Sequence, residues 1–181
     1  RGMDLSGMDL SDTKLTGADL TNTNLTGNNL SHSELNFINL KNTDMKNNDL
    51  SHTIIREVDF TKIKDKDLSN SNLYRSSITF SNLKNIEMEN VISMDGSNLH
   101  NSNLSGIDFT KTAFDTIQRV DFSDADLSNT NFSGMKFAEK NDNGFIKVEI
   151  SSPNDYAIFE QLERLPIEKK IELANYSNEE L

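Results

Sequence analysis

Residues 3–60 read MDLSG MDLSD TKLTG ADLTN TNLTG NNLSH SELNF INLKN TDMKN NDLSH TIIRE VDF when they are written in blocks of five. Every block has a large apolar residue at its third place. This spacing matches neither the 3.6-residue period of an amphipathic helix nor the two-residue period of a strand. The chain must therefore return to the same inward direction every five residues. The twelve central residues are Leu5, Leu10, Leu15, Leu20, Leu25, Leu30, Leu35, Leu40, Met45, Leu50, Ile55 and Phe60.

The other places in the block are also patterned. The residue two before the centre is mostly small or apolar, as Ala18, Thr23 and Ile38 illustrate. The residue just before the centre is usually Asp or Asn, and the one after it is mostly Ser or Thr. Because Asp and Asn side chains bond to nearby backbone groups in turns, we interpret their recurrence as a structural requirement rather than a row of catalytic carboxylates.

The unit small–Asp/Asn–Leu–Ser/Thr–variable resembles the pentapeptide-repeat family, whose consensus is A(D/N)LXX. Residues 18–22 (ADLTN) and 125–129 (ADLSN) match that consensus directly. The resemblance implies an all-β solenoid, a right-handed quadrilateral β-helix in which four units form one square coil. It also implies that the central residue and the residue two before it point inward.

The same frame continues beyond Phe60 after three interruptions, which we interpret as insertions of three, one and three residues. They lie at Thr61–Asp67, near Ile92–Ser93, and at Asp115–Asp121. The frame thus predicts 26 units and, at four units per coil, a rod about 30 Å long. The further central residues are Leu68, Leu73, Ile78, Leu83 and Met88, then Met94, Leu99, Leu104, Phe109 and Phe114, and finally Phe122, Leu127, Phe132 and Phe137.

Composition excludes several classes of protein. The 181 residues contain no cysteine, so disulfide scaffolds, thiolate zinc sites and cysteine catalysis are ruled out for this sequence. There is no apolar stretch near 20 residues, as a membrane span would need. The net charge of −11 argues against direct binding to nucleic acid. A hydrophobic content of only 34% would suggest disorder, were the apolar residues not placed so regularly.

The period stops after Phe137, so we divide the chain into a repeat domain, residues 1–137, and a C-terminal cap, residues 138–181. Alternation over residues 145–150 predicts a strand. Apolar stripes predict short α-helices over about 153–164 and 166–176. This appendage is interpreted as a cap on the solenoid, with a dimerisation element or the start of another domain as the alternatives. The sequence begins inside a repeat, so we expect a domain boundary there and any targeting signal to lie outside it.

Residues 1–181 show no catalytic constellation, glycine-rich phosphate loop or metal-binding pair, and we predict no enzyme activity, cofactor or metal for this segment. His32 and His52 share the same repeat phase, so they should stack on adjacent coils about 5 Å apart. We interpret this pair as a surface ladder, because no suitably placed carboxylate shares its column.

Apolar residues at outward places break the pattern, and such exceptions mark functional candidates. The frame places Phe37 and Phe80 on one edge, two coils apart, with Glu57 between them and Ile54 beside them. An exposed apolar patch with an acidic neighbour is typical of a protein-binding site. The candidate protein-binding residues are Phe37, Ile54, Glu57, Tyr74 and Phe80.

The sequence therefore predicts a non-catalytic protein–protein interaction module. The resemblance implies a β-helix domain that recruits a partner or substrate for a bacterial effector, such as the HECT-like ubiquitin-ligase effectors, secreted into a host cell. Its partner would then be a host protein or a ubiquitin-pathway component. The alternative is a DNA mimic of the bacterial cytoplasm that binds DNA gyrase, with a homodimer formed through the C-terminal helices. Residues 1–137 carry 19 acidic and 13 basic residues, which is a weak excess for such a mimic.

Overall fold

The chain winds into a rod of four-walled coils that stack along one axis. The computed structural model describes residues 2–122, 124–141 and 144–149. Parallel backbone bridges join each unit to the unit one coil later, as in Asp4↔Asn24↔Asp44. The central residues of the first wall are Leu5, Leu25, Met45, Leu68, Met88, Phe109 and Phe132; of the second, Leu10, Leu30, Leu50, Leu73, Met94, Ile117 and Phe137; of the third, Leu15, Leu35, Ile55, Ile78, Leu99 and Phe122; and of the fourth, Leu20, Leu40, Phe60, Leu83, Leu104 and Leu127.

Two backbone hydrogen bonds per unit hold successive coils together. The N–H of Leu5 donates to the carbonyl of Asn24 at 2.9 Å, and the N–H of Asn24 donates back to the carbonyl of Met3 at 2.9 Å. A third bond links the corners, as Gly7 N–H donates to the carbonyl of Thr26. Because most units repeat these bonds, the walls form parallel ladders even where the strands are too short to be named.

The interior combines an apolar column with a polar one. Most of the central residues are buried, and Leu30, Leu50 and Leu68 are fully enclosed. The places two before the centre carry buried Ser, Thr and Asn side chains that bond to the backbone. Thr53 Oγ1, for example, donates to the carbonyl of Leu50 at 2.7 Å. These bonds explain how a chain so poor in hydrophobic residues can bury polar side chains in its core.

Asp and Asn before the centre fulfil the turn-forming role predicted for them. The Asp4 carboxylate accepts hydrogen bonds from both the N–H and the hydroxyl of Ser6, at 3.1 and 2.7 Å. The same bond recurs at Asp19 with Thr21 and at Asn131 with Ser133. The side chain thus braces the corner that turns the chain into the next wall.

The first two insertions leave the inward column intact. Ile63 is buried and takes the inward place that normally stands two residues before a centre. The inserted residues Lys64–Lys66 then form a 3-10 turn that bulges outward before the next centre, Leu68. At the second insertion, the N–H of Ile92 donates to the carbonyl of Ser71, whereas the carbonyl of Ser93 accepts from the N–H of Leu73. Two residues thus oppose one, which is a β-bulge that leaves Ile92 exposed.

The prediction for the third insertion was wrong. Phe114 is only partly buried, whereas Ile117 is 3% exposed and pairs in register with Phe137. The extra residues therefore lie before Ile117, not over Asp115–Asp121. The insertion begins only after Ala113, because Thr112 and Ala113 still follow the second-wall ladder, where Ala113 N–H donates to the carbonyl of Val91.

Five strands are long enough to be named. They are β1 (Ile54–Arg56), β2 (Ser77–Thr79), β3 (Thr116–Gln118), β4 (Lys136–Asn141) and β5 (Gly144–Glu149). On the third wall β1 pairs with β2 in parallel. On the second wall β3 pairs with β4 in parallel, and β4 pairs with β5 in an antiparallel hairpin.

The hairpin crosses the domain boundary that we expected after Phe137, because β4 runs from Lys136 to Asn141 without a break. The strand predicted over residues 145–150 falls at β5. The helices predicted over about 153–164 and 166–176 lie outside the described residues. Within the described part of the chain, no helix has the length and apolarity required to cross a membrane.

Candidate protein interface

The corner between the third and fourth walls displays two exposed phenylalanines. Each corner residue stands two places after a central residue, so Phe37, Glu57 and Phe80 follow Leu35, Ile55 and Ile78. Backbone bonds place them on successive coils, since Phe37 N–H donates to the carbonyl of Arg56 and Glu57 N–H to that of Thr79. We call Phe37, Arg56, Glu57, Phe80 and His100 the aromatic corner.

The backbone at this corner disfavours the side chains that it carries. Phe37, Glu57 and Phe80 have φ values of 57°, 55° and 54°, in the left-handed region. The equivalent places on the other corners are mostly Asn, Asp or Gly, which tolerate that region. Phe37 is nevertheless 53% exposed and Phe80 46% exposed, so neither ring gains the full benefit of burial.

Arg56 and His100 hold the Phe80 ring. The Arg56 guanidinium lies 5.0 Å from the ring centroid, and the His100 imidazole meets the ring edge-on at 5.6 Å. Arg56 Nε also lies 3.3 Å from the Glu57 carboxylate. The cation is therefore shared between an acidic and an aromatic neighbour, and this local pairing keeps the surface around the two rings close to neutral.

Ile54 adjoins the aromatic corner on the face of the third wall. It begins β1, in the outward place just before the buried Ile55, and it is 49% exposed. Its cross-strand partners are Glu34 below and Ser77 above. The apolar surface thus extends from the corner onto the wall through a single side chain.

Tyr74 belongs to a different cluster, although the sequence grouped it with the others. It lies on the corner between the second and third walls, where it packs edge-on against His52 at 5.4 Å. His52 in turn stacks on His32, with ring centroids 4.6 Å apart and an interplanar angle of 6°. This agrees with the spacing expected from their shared phase. The Arg75 guanidinium lies 5.1 Å from the Tyr74 ring.

Sequence reasoning missed Arg56 and His100. Both occupy the place directly after a central residue, where polar side chains are common, so neither breaks the repeat. The signal that would have revealed them is the coil register, which brings Arg56 to Phe80 and Phe80 to His100 across successive coils.

Elsewhere the charged side chains of the rod are mostly interleaved. On the first wall Lys46 Nζ lies 2.9 Å from the Asp67 carboxylate and Lys64 Nζ lies 3.1 Å from that of Asp44. Burial opposes the ionisation of Asp67, but hydrogen bonds from the Ser69 backbone and from Lys46 outweigh it and lower the pKa of this carboxyl. The carboxylates of Asp44 and Asp67 are therefore paired with lysines of neighbouring coils.

One cleft of about 220 Å³ lies away from the aromatic corner, beside the first wall. Its charged lining comprises Glu87, Glu89, Asp108 and Lys111. These side chains stand at the outward places of two successive coils, as the repeat requires. In the part of the chain that the structure describes, no three His, Asp or Glu residues come together as a metal site would require.

A model of the family described as pentapeptide repeats matches eight copies of the unit, at residues 1–27, 29–61 and 117–139. No curated protein sequence matches the chain significantly. Several solved structures of pentapeptide-repeat proteins are similar to it at low identity.

One is a pentapeptide-repeat protein of the Arabidopsis thaliana thylakoid lumen, with 19% identity, 88% of this chain and 74% of that chain covered, and a TM-score of 0.33. HetL, involved in heterocyst differentiation regulation in the cyanobacterium Nostoc sp., has 17% identity, coverages of 71% and 86%, and a TM-score of 0.21. QnrB1, a plasmid-mediated fluoroquinolone resistance protein, has 19% identity, coverages of 74% and 70%, and a TM-score of 0.26.

The family assignment rests on the matched copies and on the stacking of the units. The matched segments carry the in-frame central residues from Leu5 to Phe60 and those from Phe122 to Phe137. The intervening units follow the same parallel ladders, and a repeated parallel connection of this kind is right-handed. The chain therefore belongs to the pentapeptide-repeat family, and its fold is a right-handed quadrilateral β-helix.

Proposed function

We propose that this protein is a non-catalytic interaction module that binds another protein through the aromatic corner and Ile54. The observation that carries the proposal is the pair of exposed phenylalanines, Phe37 and Phe80, held in left-handed backbone conformations. A left-handed conformation costs an ordinary residue about 1–2 kcal/mol. Asn would make the fold more stable at these two places, and it occupies the equivalent corner places at Asn22 and Asn42.

The composition of the corner supports binding to a protein. Aromatic residues and arginine are the side chains most enriched among the residues that dominate binding energy at protein interfaces. Here Phe37, Phe80 and Arg56 lie on neighbouring coils of a rigid rod. Repeat proteins of this kind bind through their extended walls, since each wall presents side chains in fixed register.

Within this proposal the module recruits a partner or substrate for a bacterial effector. That finer role follows from the family resemblance, in which effector proteins carry such a β-helix. A DNA mimic is the competing proposal, because the whole chain has a net charge of −11. The interleaved pairs Asp44–Lys64 and Asp67–Lys46 speak against it, since a mimic needs unpaired carboxylates to replace phosphates.

Affinity capture with a patch-deficient variant tests the proposal. The immobilised protein and a Phe37→Asn/Phe80→Asn double variant are exposed side by side to bacterial and host-cell lysates. The Asn side chains suit the left-handed backbone, so the variant should fold. We expect at least one protein to be retained by the parent and lost by the double variant.

A Lys84→Ser variant serves as the control, because Lys84 follows the centre of the fourth wall and therefore lies outside the aromatic corner. It should retain the same proteins as the parent. Retention of every captured protein by the Phe37→Asn/Phe80→Asn variant would contradict the proposal. Inhibition of gyrase supercoiling by the parent and the double variant alike would favour the DNA mimic instead.

A further inference from the structure

We infer that the C-terminal segment, residues 150–181, folds back over the end of the rod and covers the last coil on the side of the first wall. The basis is a difference in burial between the two ends of one regular scaffold, together with the place at which the chain leaves β5. The end of the rod is distinct from the aromatic corner, so this cover does not depend on the proposed function. Repeat folds need such a cover, because an uncovered terminal repeat exposes its apolar interior.

The first coil shows how inward side chains are exposed at an open end. Met3 and Met8 stand two places before a centre, on the first and second walls, and they are 53% and 45% exposed. Leu5, the first centre of the first wall, is only partly buried, whereas Leu25 lies one coil later and is 1% exposed. An inward side chain is thus enclosed only where other groups lie on both sides of its coil.

The last coil is enclosed where the first coil is open. Thr130 and Met135 occupy the same inward places as Met3 and Met8, on the same two walls, but each is only 3% exposed. Phe132, the last centre of the first wall, is also buried. Among the residues that the structure describes, the only backbone that pairs with the last coil from beyond it is β5, which lies on the second wall. The burial of the first-wall side chains therefore calls for a further cover.

The direction of β5 leads the chain to the place that is covered. Its last residue, Glu149, pairs with Lys136 at the start of β4, and the two strands are antiparallel. A chain that continues from Glu149 in the same direction passes Met135 and moves from the second wall towards the first. Val120 and Ala125, at the inward places of the third and fourth walls, are only partly buried. The cover therefore lies on the side of the rod to which β5 points.

The sequence of the C-terminal segment suits an apolar surface. Apolar side chains recur at every third residue along the first predicted helix, at Tyr156, Phe159, Leu162 and Leu165. A helix with such a stripe gains most of its stability when the stripe packs against an apolar surface. The interior of the last coil offers that surface, because without a cover it would face water as Met3 and Met8 do.

Thiol reactivity tests the inference, because the sequence contains no cysteine and a single introduced one reports on its own site. Three full-length variants carry one cysteine each at an inward place: Met3→Cys on the first coil, Ser102→Cys in the middle of the rod and Thr130→Cys on the last coil. The reaction with Ellman's reagent is followed by absorbance. We expect Thr130→Cys to react about as slowly as Ser102→Cys and at least about tenfold more slowly than Met3→Cys, since an enclosed thiol reacts only when the structure opens.

Substitutions in the stripe then identify the cover. Phe159→Ser/Leu162→Ser should accelerate the reaction of Thr130→Cys by about tenfold or more and leave that of Ser102→Cys unchanged. The matched control, Gln161→Ser/Arg164→Ser, changes two polar residues at the same spacing and should affect neither rate. If Ser102→Cys is accelerated as well, the double variant has loosened the whole rod, and the milder Leu162→Ala then decides by the same comparison.

Three results would overturn the inference. The first is a reaction of Thr130→Cys as fast as that of Met3→Cys, and the second is a slow reaction that neither stripe variant accelerates. The third is acceleration on dilution, together with a dimer that dissociates in sedimentation experiments, which would assign the cover to a second copy of the chain. Each result concerns the end of the rod and leaves the capture experiment on the aromatic corner unaffected.

Discussion

Substitution of Gly106 by Ala measures how closely the corners of successive coils pack. Gly106 lies on the corner between the fourth and first walls, with a φ of +74°. A Cβ built on it falls well inside van der Waals distance of the Asn85 side-chain oxygen, one coil below. Gly27 has nearly the same backbone, at φ +73°, but a Cβ there meets nothing within 4 Å. The two glycines thus differ in their surroundings and not in their conformation.

The expected magnitudes follow from that difference. Ala in the left-handed region costs about 1–2 kcal/mol, and Gly27→Ala should lose this amount of unfolding free energy. Gly106→Ala should lose the same amount plus up to about 1 kcal/mol, because the Asn85 side chain must leave its rotamer. The addition is modest, since the clashing atom is the end of a flexible side chain.

Equilibrium urea unfolding, followed by far-ultraviolet circular dichroism, measures both losses, provided that the dependence on urea concentration is unchanged. The double variant Gly106→Ala/Asn85→Gly supplies the decisive control. Removal of the Asn85 side chain should bring the cost of Gly106→Ala down to that of Gly27→Ala. Equal costs for the two single variants, or no relief in the double variant, would refute this account of corner packing.

Three further outcomes are expected, each measured by urea unfolding. Ile117→Ala should cost about 2–5 kcal/mol and Phe114→Ala at least about 1 kcal/mol less, because Ile117 is the buried centre; the opposite order would restore the frame that the five-residue period suggests. Phe109→Ala should cost about 3–5 kcal/mol, since the ring is fully buried, and a loss below 1 kcal/mol would contradict the stacked core. Asp67 has a lowered pKa, so its contribution to stability is present above about pH 4 and is lost as pH falls through the folded-state pKa. Lys46→Met should therefore destabilise the protein at neutral pH by an amount that shrinks below pH 4, and a pH-independent difference would disprove the linkage.

Much of the fold follows from the period of five. Twelve uninterrupted units assign an inward or outward direction to nearly every residue up to Phe60. With residues 61–67 interpreted as a simple insertion, the same register places Phe37 and Phe80 on one edge. The role of Asp and Asn in the turns also follows, because these side chains act on backbone only two residues away. Such short-range features depend little on the rest of the molecule.

The third insertion was misplaced for a definite reason. Counting five from Phe109 reaches Phe114, an aromatic residue as suitable for the core as Ile117. The period cannot choose between them, since either choice keeps one apolar residue per unit. The choice depends on the neighbouring coil, where the pairing of Thr116–Gln118 with residues 136–138 brings Ile117 into register with Phe137.

At the candidate interface too, the sequence determines some features and the stacking of coils determines others. The sequence is enough to identify Phe37, Ile54 and Phe80 as outward apolar residues, because direction is a property of position within one unit. The contacts of Phe80 with Arg56 and His100 join residues more than 19 positions apart and exist only once the coils are stacked. The separation of Tyr74 from the aromatic corner likewise depends on which wall each unit occupies. Local periodicity therefore determines which way each side chain points, whereas the stacking of coils decides which side chains meet, since those neighbours come from distant parts of the chain.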